Sequence, residues 1–231
     1  MWSGPRNIST ALMRSWGSRP DCHVMDEPFY AHYLQRTGVD HPGRDEVLAA
    51  QSTDWREVAE TLTNQALPAG KTVLYQKHMT HHMLPDVDLS TLEGLRHAFL
   101  IREPAEVTAS YAKVRGEPTL DDLGFPQQQR LFERFGGPVV DADDLLRRPT
   151  ALLGRLCSVL EVSFDPAMLS WPSGPHATDG VWGKHWYAGV WASTGFGAPG
   201  LSTGEIPEGS RRLVEQCRPY YETMAEHRLT A

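Results

Sequence analysis

Residues 1–16, MWSGPRNISTALMRSW, decide how the rest of the chain is read. Ile8, Leu12, Met13 and Trp16 keep helical spacing, so a helix opens within Asn7 to Thr10. Ser3 to Thr10 then form a turn that leads from a strand into a helix. A turn of this kind points several unpaired backbone N–H groups at one spot, where the helix dipole favours an anion. Arg6 adds a permanent charge, and Ser9 and Thr10 add hydroxyl donors. The plainer alternative is a helix start with Asn7 or Ser9 as its cap. A nucleoside triphosphatase is disfavoured, because the Gly-Lys-Ser/Thr ending that reaches the terminal phosphates and magnesium is absent. Only Met1 and Trp2 precede the turn, so either the first strand is very short or the natural chain begins upstream of Met1.

Working outward, strands and helices alternate. "CHVMDEPFY" (residues 22–30) reads as a short strand running into a turn at Glu27-Pro28, and "KTVLYQKH" (71–78) as a buried strand. "LRHAFLIREP" (95–104) and "GGPVVDADDLL" (136–146) supply two more. Helical patterns follow at residues 54–67, 105–114 and 149–160, with a closing helix over 208–228. This alternation predicts an α/β fold of one domain, a three-layer parallel sheet flanked by helices. Residues 170–207 are rich in Gly, Pro, Ser and Trp without clear periodicity, which predicts a long irregular segment.

Composition bounds the function. The chain has 231 residues, 40% of them hydrophobic and 22% charged, with a net charge of -7. That is an ordinary globular composition, and acidic and basic residues are mixed along it, so a nucleic-acid surface is not indicated. Three cysteines far apart, Cys22, Cys157 and Cys217, fit neither a disulfide framework nor a cysteine-rich zinc site. No apolar run approaches a membrane span and no secretory signal precedes the first motif, which leaves the cytoplasm as the expected location.

A second constellation lies in "FLIREPAEVTASYAKV", where Arg102 ends a buried strand and Ser110 follows eight residues later, two helical turns on. An arginine at the carboxyl end of a strand in an open α/β sheet faces the ligand crevice. Taken alone, Arg102 could equally form a structural ion pair with Glu103 or Glu106.

Together, "SGPRNIST" and "FLIREPAEVTASY" resemble the sulfotransferases that use 3′-phosphoadenosine 5′-phosphosulfate as donor. The resemblance extends through "VVDADDLLRRP", similar to that family's "YEDLLRDP", and covers roughly residues 1–165. It is nearest to bacterial members with Pro-Arg in the loop. One such set carries a branched-chain aminotransferase label that these residues do not support. The resemblance implies a P-loop-like fold, with Arg6, Asn7, Ile8, Ser9 and Thr10 wrapping the 5′-phosphosulfate and with Arg102 and Ser110 holding the 3′-phosphate. The family's late glycine-rich loop is not matched residue by residue. "DGVWGKHWY" is the nearest candidate, with Lys184 as its charge and Trp182 or Trp186 as walls for adenine or acceptor, unless these tryptophans are core.

Two departures matter. The family's loop usually has glycine at Ile8 and often lysine at Arg6. A branched side chain disfavours φ > 0, so Ile8 predicts an ordinary helical start to the loop. Arg6 can clamp the bridging oxygen but cannot donate a proton as readily as lysine. Sulfuryl transfer, like phosphoryl transfer, needs positioning, charge stabilisation and a base. Arg6 and backbone amides can carry that charge, so no metal is called for. Two residues are candidates for the base. Glu27 stands where some similar bacterial enzymes place a catalytic glutamate, and is otherwise a helix-start carboxylate. His78 lies near the position where cytosolic members carry a histidine, with Lys77 beside it to neutralise the donor or pin the site. His78, His81 and His82 also have metal-ligand spacing, but no carboxylate motif accompanies them. The sequence thus predicts a sulfotransferase acting on a small hydroxylated or amino acceptor. The alternatives are a non-catalytic nucleotide or phosphate binder, and a kinase or hydrolase with an altered loop.

Overall fold

The computed structural model describes residues 1–198 and 208–230. The fold is α/β: five parallel strands flanked by helices. In chain order the strands are β1 (Trp2–Ser3), β2 (Cys22–Asp26), β3 (Val73–Met79), β4 (Phe99–Ile101) and β5 (Val139–Asp141). All four predicted strand segments are present, each shorter than its sequence window, and β1 leads into the opening turn.

The contacts divide the chain into two compact units. The first comprises Met1–Ser9, His97–Phe164 and the described part of Gly197–Ala231. Here β1 pairs in parallel with β4, and β4 with β5, in the registers Trp2 to Phe99 and Phe99 to Val139. Phe99, Leu100, Val139 and Val140 have no exposed surface, as expected for parallel strands covered on both faces. The helix Pro104–Arg115 begins with proline at its first position, where a missing N–H costs nothing. Asp141 ends β5 and caps the next helix by accepting from the N–H groups of Asp143 and Asp144.

The second unit comprises Thr10–Arg96 and Asp165–Phe196. Its β2 and β3 pair in parallel from Cys22 opposite Val73 to Asp26 opposite Lys77. The helix Trp55–Asn64 starts after Asp54, whose side chain accepts from the N–H of Arg56. The segment predicted to be irregular contains two four-residue helices, Gly183–Trp186 and Ala188–Trp191, while its residues 199–207 lie outside the described residues. Among the described residues, no helix is long and apolar enough to cross a membrane.

Candidate functional site

The turn after β1 departs from its sequence reading at one position. Ile8 has φ 59°, and Arg6 has φ 63°, so the predicted helical start at Ile8 is wrong. The physical reason is tertiary. Asn7 is buried and its Nδ2 donates to the Leu100 carbonyl at 3.1 Å, while Arg102 Nη1 donates to the Arg6 carbonyl at 2.9 Å. These two ties to β4 and its continuation fix the turn and outweigh the steric preference of one branched side chain. Left-handed residues on both sides of Asn7 give an alternating backbone, a geometry in which successive N–H groups can form a concavity suited to an anion. Gly4 is obligatory for packing, since a Cβ there would meet the Leu123 carbonyl oxygen at 2.6 Å. The helix Ser9–Gly17 follows directly.

The same unit brings Arg6, Arg102 and Ser110 together. Arg6 Nε donates to Ser110 Oγ at 2.9 Å, although sequence reasoning gave these two residues to opposite ends of the donor. Arg102 Nε donates to Glu106 Oε2 at 2.8 Å, so it makes one of the two ion pairs considered from sequence. Glu103 pairs instead with Arg218 at 3.0 Å. Burial and then the nearby Arg102 charge both lower the pKa of Arg6. Among the described residues, the Arg6 guanidinium meets no carboxylate. Two crowded guanidiniums, only one of them countered, together with a hydroxyl and converging N–H groups, form a donor set suited to a multiply charged anion.

In the second unit, Glu27 follows β2 with φ 43°, another left-handed non-glycine residue. Its N–H donates to the Lys77 carbonyl at 2.9 Å, and its own carbonyl accepts from Gln51 Nε2 at 3.2 Å. The Lys77 ammonium is buried and spends all three hydrogens: on Asp26 Oδ1 at 2.8 Å, Glu27 Oε1 at 2.6 Å and the Tyr187 hydroxyl at 2.7 Å. The Tyr187 oxygen also accepts from Trp182 Nε1 at 2.9 Å, and its hydrogen goes to Asp26 Oδ2 at 2.6 Å. Burial raises the Glu27 pKa, against the opposing effect of Lys77 and with help from the Asp26 charge. Lys77 is displaced upward: its two carboxylate partners together outweigh burial, the largest single influence, which acts downward.

His78 is also buried. Its Nε2 lies 3.1 Å from Gln76 Oε1, and its ring packs against Phe29 with centroids 5.8 Å apart. Gln76 Nε2 donates to the Leu62 carbonyl at 2.9 Å, which orients the amide so that Oε1 accepts and His78 Nε2 carries its proton. His82 stacks on Tyr30 and Tyr33, with centroids 4.5 and 4.8 Å away, and burial drives its pKa well below 6.5. Lys184 is half exposed and pairs with both oxygens of Glu46 at 2.7 Å. Trp182 is buried against Tyr30, and Trp186 is half-buried against the same cluster. Asp26 and Tyr187 escaped the sequence reading. Asp26 carried a signal, as a second carboxylate at the carboxyl end of a buried strand. Tyr187 carried none.

The sulfotransferase domain model matches residues 1–228. Two curated relatives from Arabidopsis thaliana, the branched-chain-amino-acid aminotransferase-like proteins 2 and 1, are 35% and 36% identical to this chain over 98% of its length. The chain spans 41% of the length of each. Among solved structures, the sulfotransferase domain of the curacin biosynthetic pathway aligns with the whole chain and 90% of its own, at TM-score 0.50 and 16% identity, a likeness of fold.

Proposed function

This chain belongs to the sulfotransferase domain family, and on that premise we propose that it moves a sulfuryl group from 3′-phosphoadenosine 5′-phosphosulfate to a hydroxyl or amine of a small acceptor. The observation that carries this reading is the grouping of Arg6, Arg102 and Ser110 beside the alternating turn at Arg6 to Ile8. A donor with a phosphate at each end of its ribose asks for such paired cationic and hydroxyl donors. Arg6, Asn7, Ile8, Ser9 and Thr10 would hold the 5′ side, and Arg102 with Ser110 the 3′-phosphate. Lys184, engaged with Glu46, would have to exchange that partner to join them.

In the transfer, the acceptor oxygen or nitrogen bonds to sulfur as the bond from sulfur to the bridging phosphate oxygen breaks. Arg6 counters the charge growing on the leaving phosphate. Glu27 takes the acceptor's proton on Oε2, which accepts no hydrogen bond among the described residues. A carboxylate whose pKa is raised by burial is a better base near neutral pH than an ordinary one. His78, whose Nε2 proton goes to Gln76 Oε1, positions the acceptor, and would have to exchange that partner to donate to the transferring group.

A melting-temperature panel tests the reading. The product 3′-phosphoadenosine 5′-phosphate should stabilise the protein more than AMP, ADP or ATP with magnesium. At about 100 times its dissociation constant a ligand adds about 2.7 kcal/mol. ATP as the best ligand, with no advantage from a 3′-phosphate, would point to the kinase or hydrolase reading instead.

A further inference from the structure

The cluster around Lys77 holds two carboxylates and one ammonium, and the three are not equivalent. The Asp26 side chain is 2% exposed and fully bonded, with Lys77 on Oδ1 and with the Tyr187 hydroxyl and the Gly180 N–H, at 3.2 Å, on Oδ2. The Glu27 side chain is 10% exposed; only Oε1 is engaged, by Lys77 at 2.6 Å and remotely by Tyr187 at 3.4 Å. Tyr187 has one hydrogen to give, and the distances assign it to Asp26 rather than Glu27. Asp26 thus collects one ammonium hydrogen, the phenolic hydrogen and a backbone N–H, and leaves Glu27 a single strong partner.

We propose that Asp26 is a positioning residue for Glu27: by drawing on the Lys77 ammonium and claiming the Tyr187 hydroxyl, it keeps the Glu27 charge only partly countered and Oε2 ready to accept a proton. Two carboxylates face the one ammonium of Lys77, so the ammonium alone does not balance them, and a proton taken up at Glu27 offsets the excess. Without the Asp26 charge, the whole ammonium would act on Glu27 and make it a weaker base. The titratable and charged groups that bear on Glu27 are Asp26 on its own segment, Lys77 from β3 and Tyr187 from the late short helices. Beyond Lys77 lies His82, which burial holds neutral.

This inference rests on Glu27 as the base, and the experiment separates the two. The full chain is labelled with ¹³C at the glutamate side-chain carboxyls, and the Glu27 resonance is identified by its loss in Glu27→Gln. In Asp26→Asn the Glu27 titration midpoint should fall by about one pH unit or more, tenfold in proton affinity, as expected when a neighbouring negative charge is removed. Asp26→Ser, smaller and equally uncharged, should move the midpoint the same way if the asparagine variant does not fold. A midpoint that stays in place or rises overturns the role of Asp26. Donor turnover, read as 3′-phosphoadenosine 5′-phosphate released with a phenol or water as acceptor, is measured on Glu27→Gln in parallel. Loss of turnover with an unmoved Asp26→Asn midpoint leaves the base standing and sinks this inference. Retained turnover in Glu27→Gln sinks the base assignment, and with it any catalytic meaning of the Asp26 coupling.

Discussion

Ile8 gives the sharpest test of the loop conformation, because replacing it by alanine or glycine gives opposite orders of stability for the two backbones. At φ 59° a residue with a Cβ lies in the left-handed region, which costs about 1–2 kcal/mol. Glycine escapes that cost but gives up roughly 0.5–1 kcal/mol in chain entropy. Ile8→Gly should therefore be at least as stable as Ile8→Ala, and more stable by up to about 1.5 kcal/mol. Had the loop kept the helical start expected from sequence, alanine would be the more stable by about 0.5–1 kcal/mol. Both variants lose the packing of a half-buried isoleucine, so this loss largely cancels in the comparison. Urea denaturation of the two variants, fitted with a common slope, reads the difference directly. In a chain of this size, 1 kcal/mol corresponds to about 2–4 °C in melting temperature. Alanine more stable than glycine would refute the left-handed assignment and the anion concavity built on it.

Further outcomes follow from the other groups. Arg102→Ala should weaken binding of 3′-phosphoadenosine 5′-phosphate about ten- to a hundred-fold, the worth of a charge-assisted hydrogen bond, and AMP binding much less. Equal losses for both nucleotides in calorimetry would make Arg102 structural, through its bonds to Glu106 and the Arg6 carbonyl. Glu27→Gln should lose about 10²–10⁴-fold in single-turnover transfer while still binding the nucleotide product, and His78→Asn should lose less; the reverse order would make His78 the base. In the wild type, transfer should fall as pH drops through the Glu27 midpoint, because only the ionised carboxylate accepts a proton. Burial moves that midpoint upward from the ordinary glutamate value, so an acid limb at an unshifted pH would contradict the raised pKa.

What could be read from the sequence was local or periodic. The cores of β2, β3, β4 and β5 lie inside the predicted windows because apolar, β-prone runs between turn residues have few other ways to fold. The Arg102 and Ser110 spacing was legible because a strand end and two helical turns set it. The conformation of Ile8 was not legible because one residue's sterics favour φ < 0, whereas ties from Asn7 and the Arg6 carbonyl to Leu100 and Arg102, outside the turn, accompany the opposite sign. The bond from Tyr187 to Asp26 joins residues 161 apart within a stretch lacking periodicity, and no pattern in the sequence marks it. The role imagined for Lys184 came from family resemblance alone, and its ion pair with Glu46 is a surface contact that spacing cannot foresee.

The strained positions form an independent line of argument. Among the described residues, four that are not glycine have positive φ: Arg6, Ile8, Glu27 and Glu161. Glu161 lies just beyond the helix Pro149–Val159, where a left-handed residue ends a helix in the usual way. The other three are residues to which the family resemblance gives donor binding or catalysis. Bonds at or beside these positions hold the two turns: Arg102 to the Arg6 carbonyl, the Asn7 side chain to the Leu100 carbonyl, and Gln51 and the Tyr30 N–H to the Glu27 carbonyl. Conformations costing of order 1–3 kcal/mol each persist only where the surroundings over-determine them, and such places concentrate at functional sites. At Glu27 the consequence is specific. The left-handed turn directs two successive carboxylates, Asp26 and Glu27, onto the one ammonium of Lys77, a convergence that an extended strand would prevent by sending alternate side chains to opposite faces.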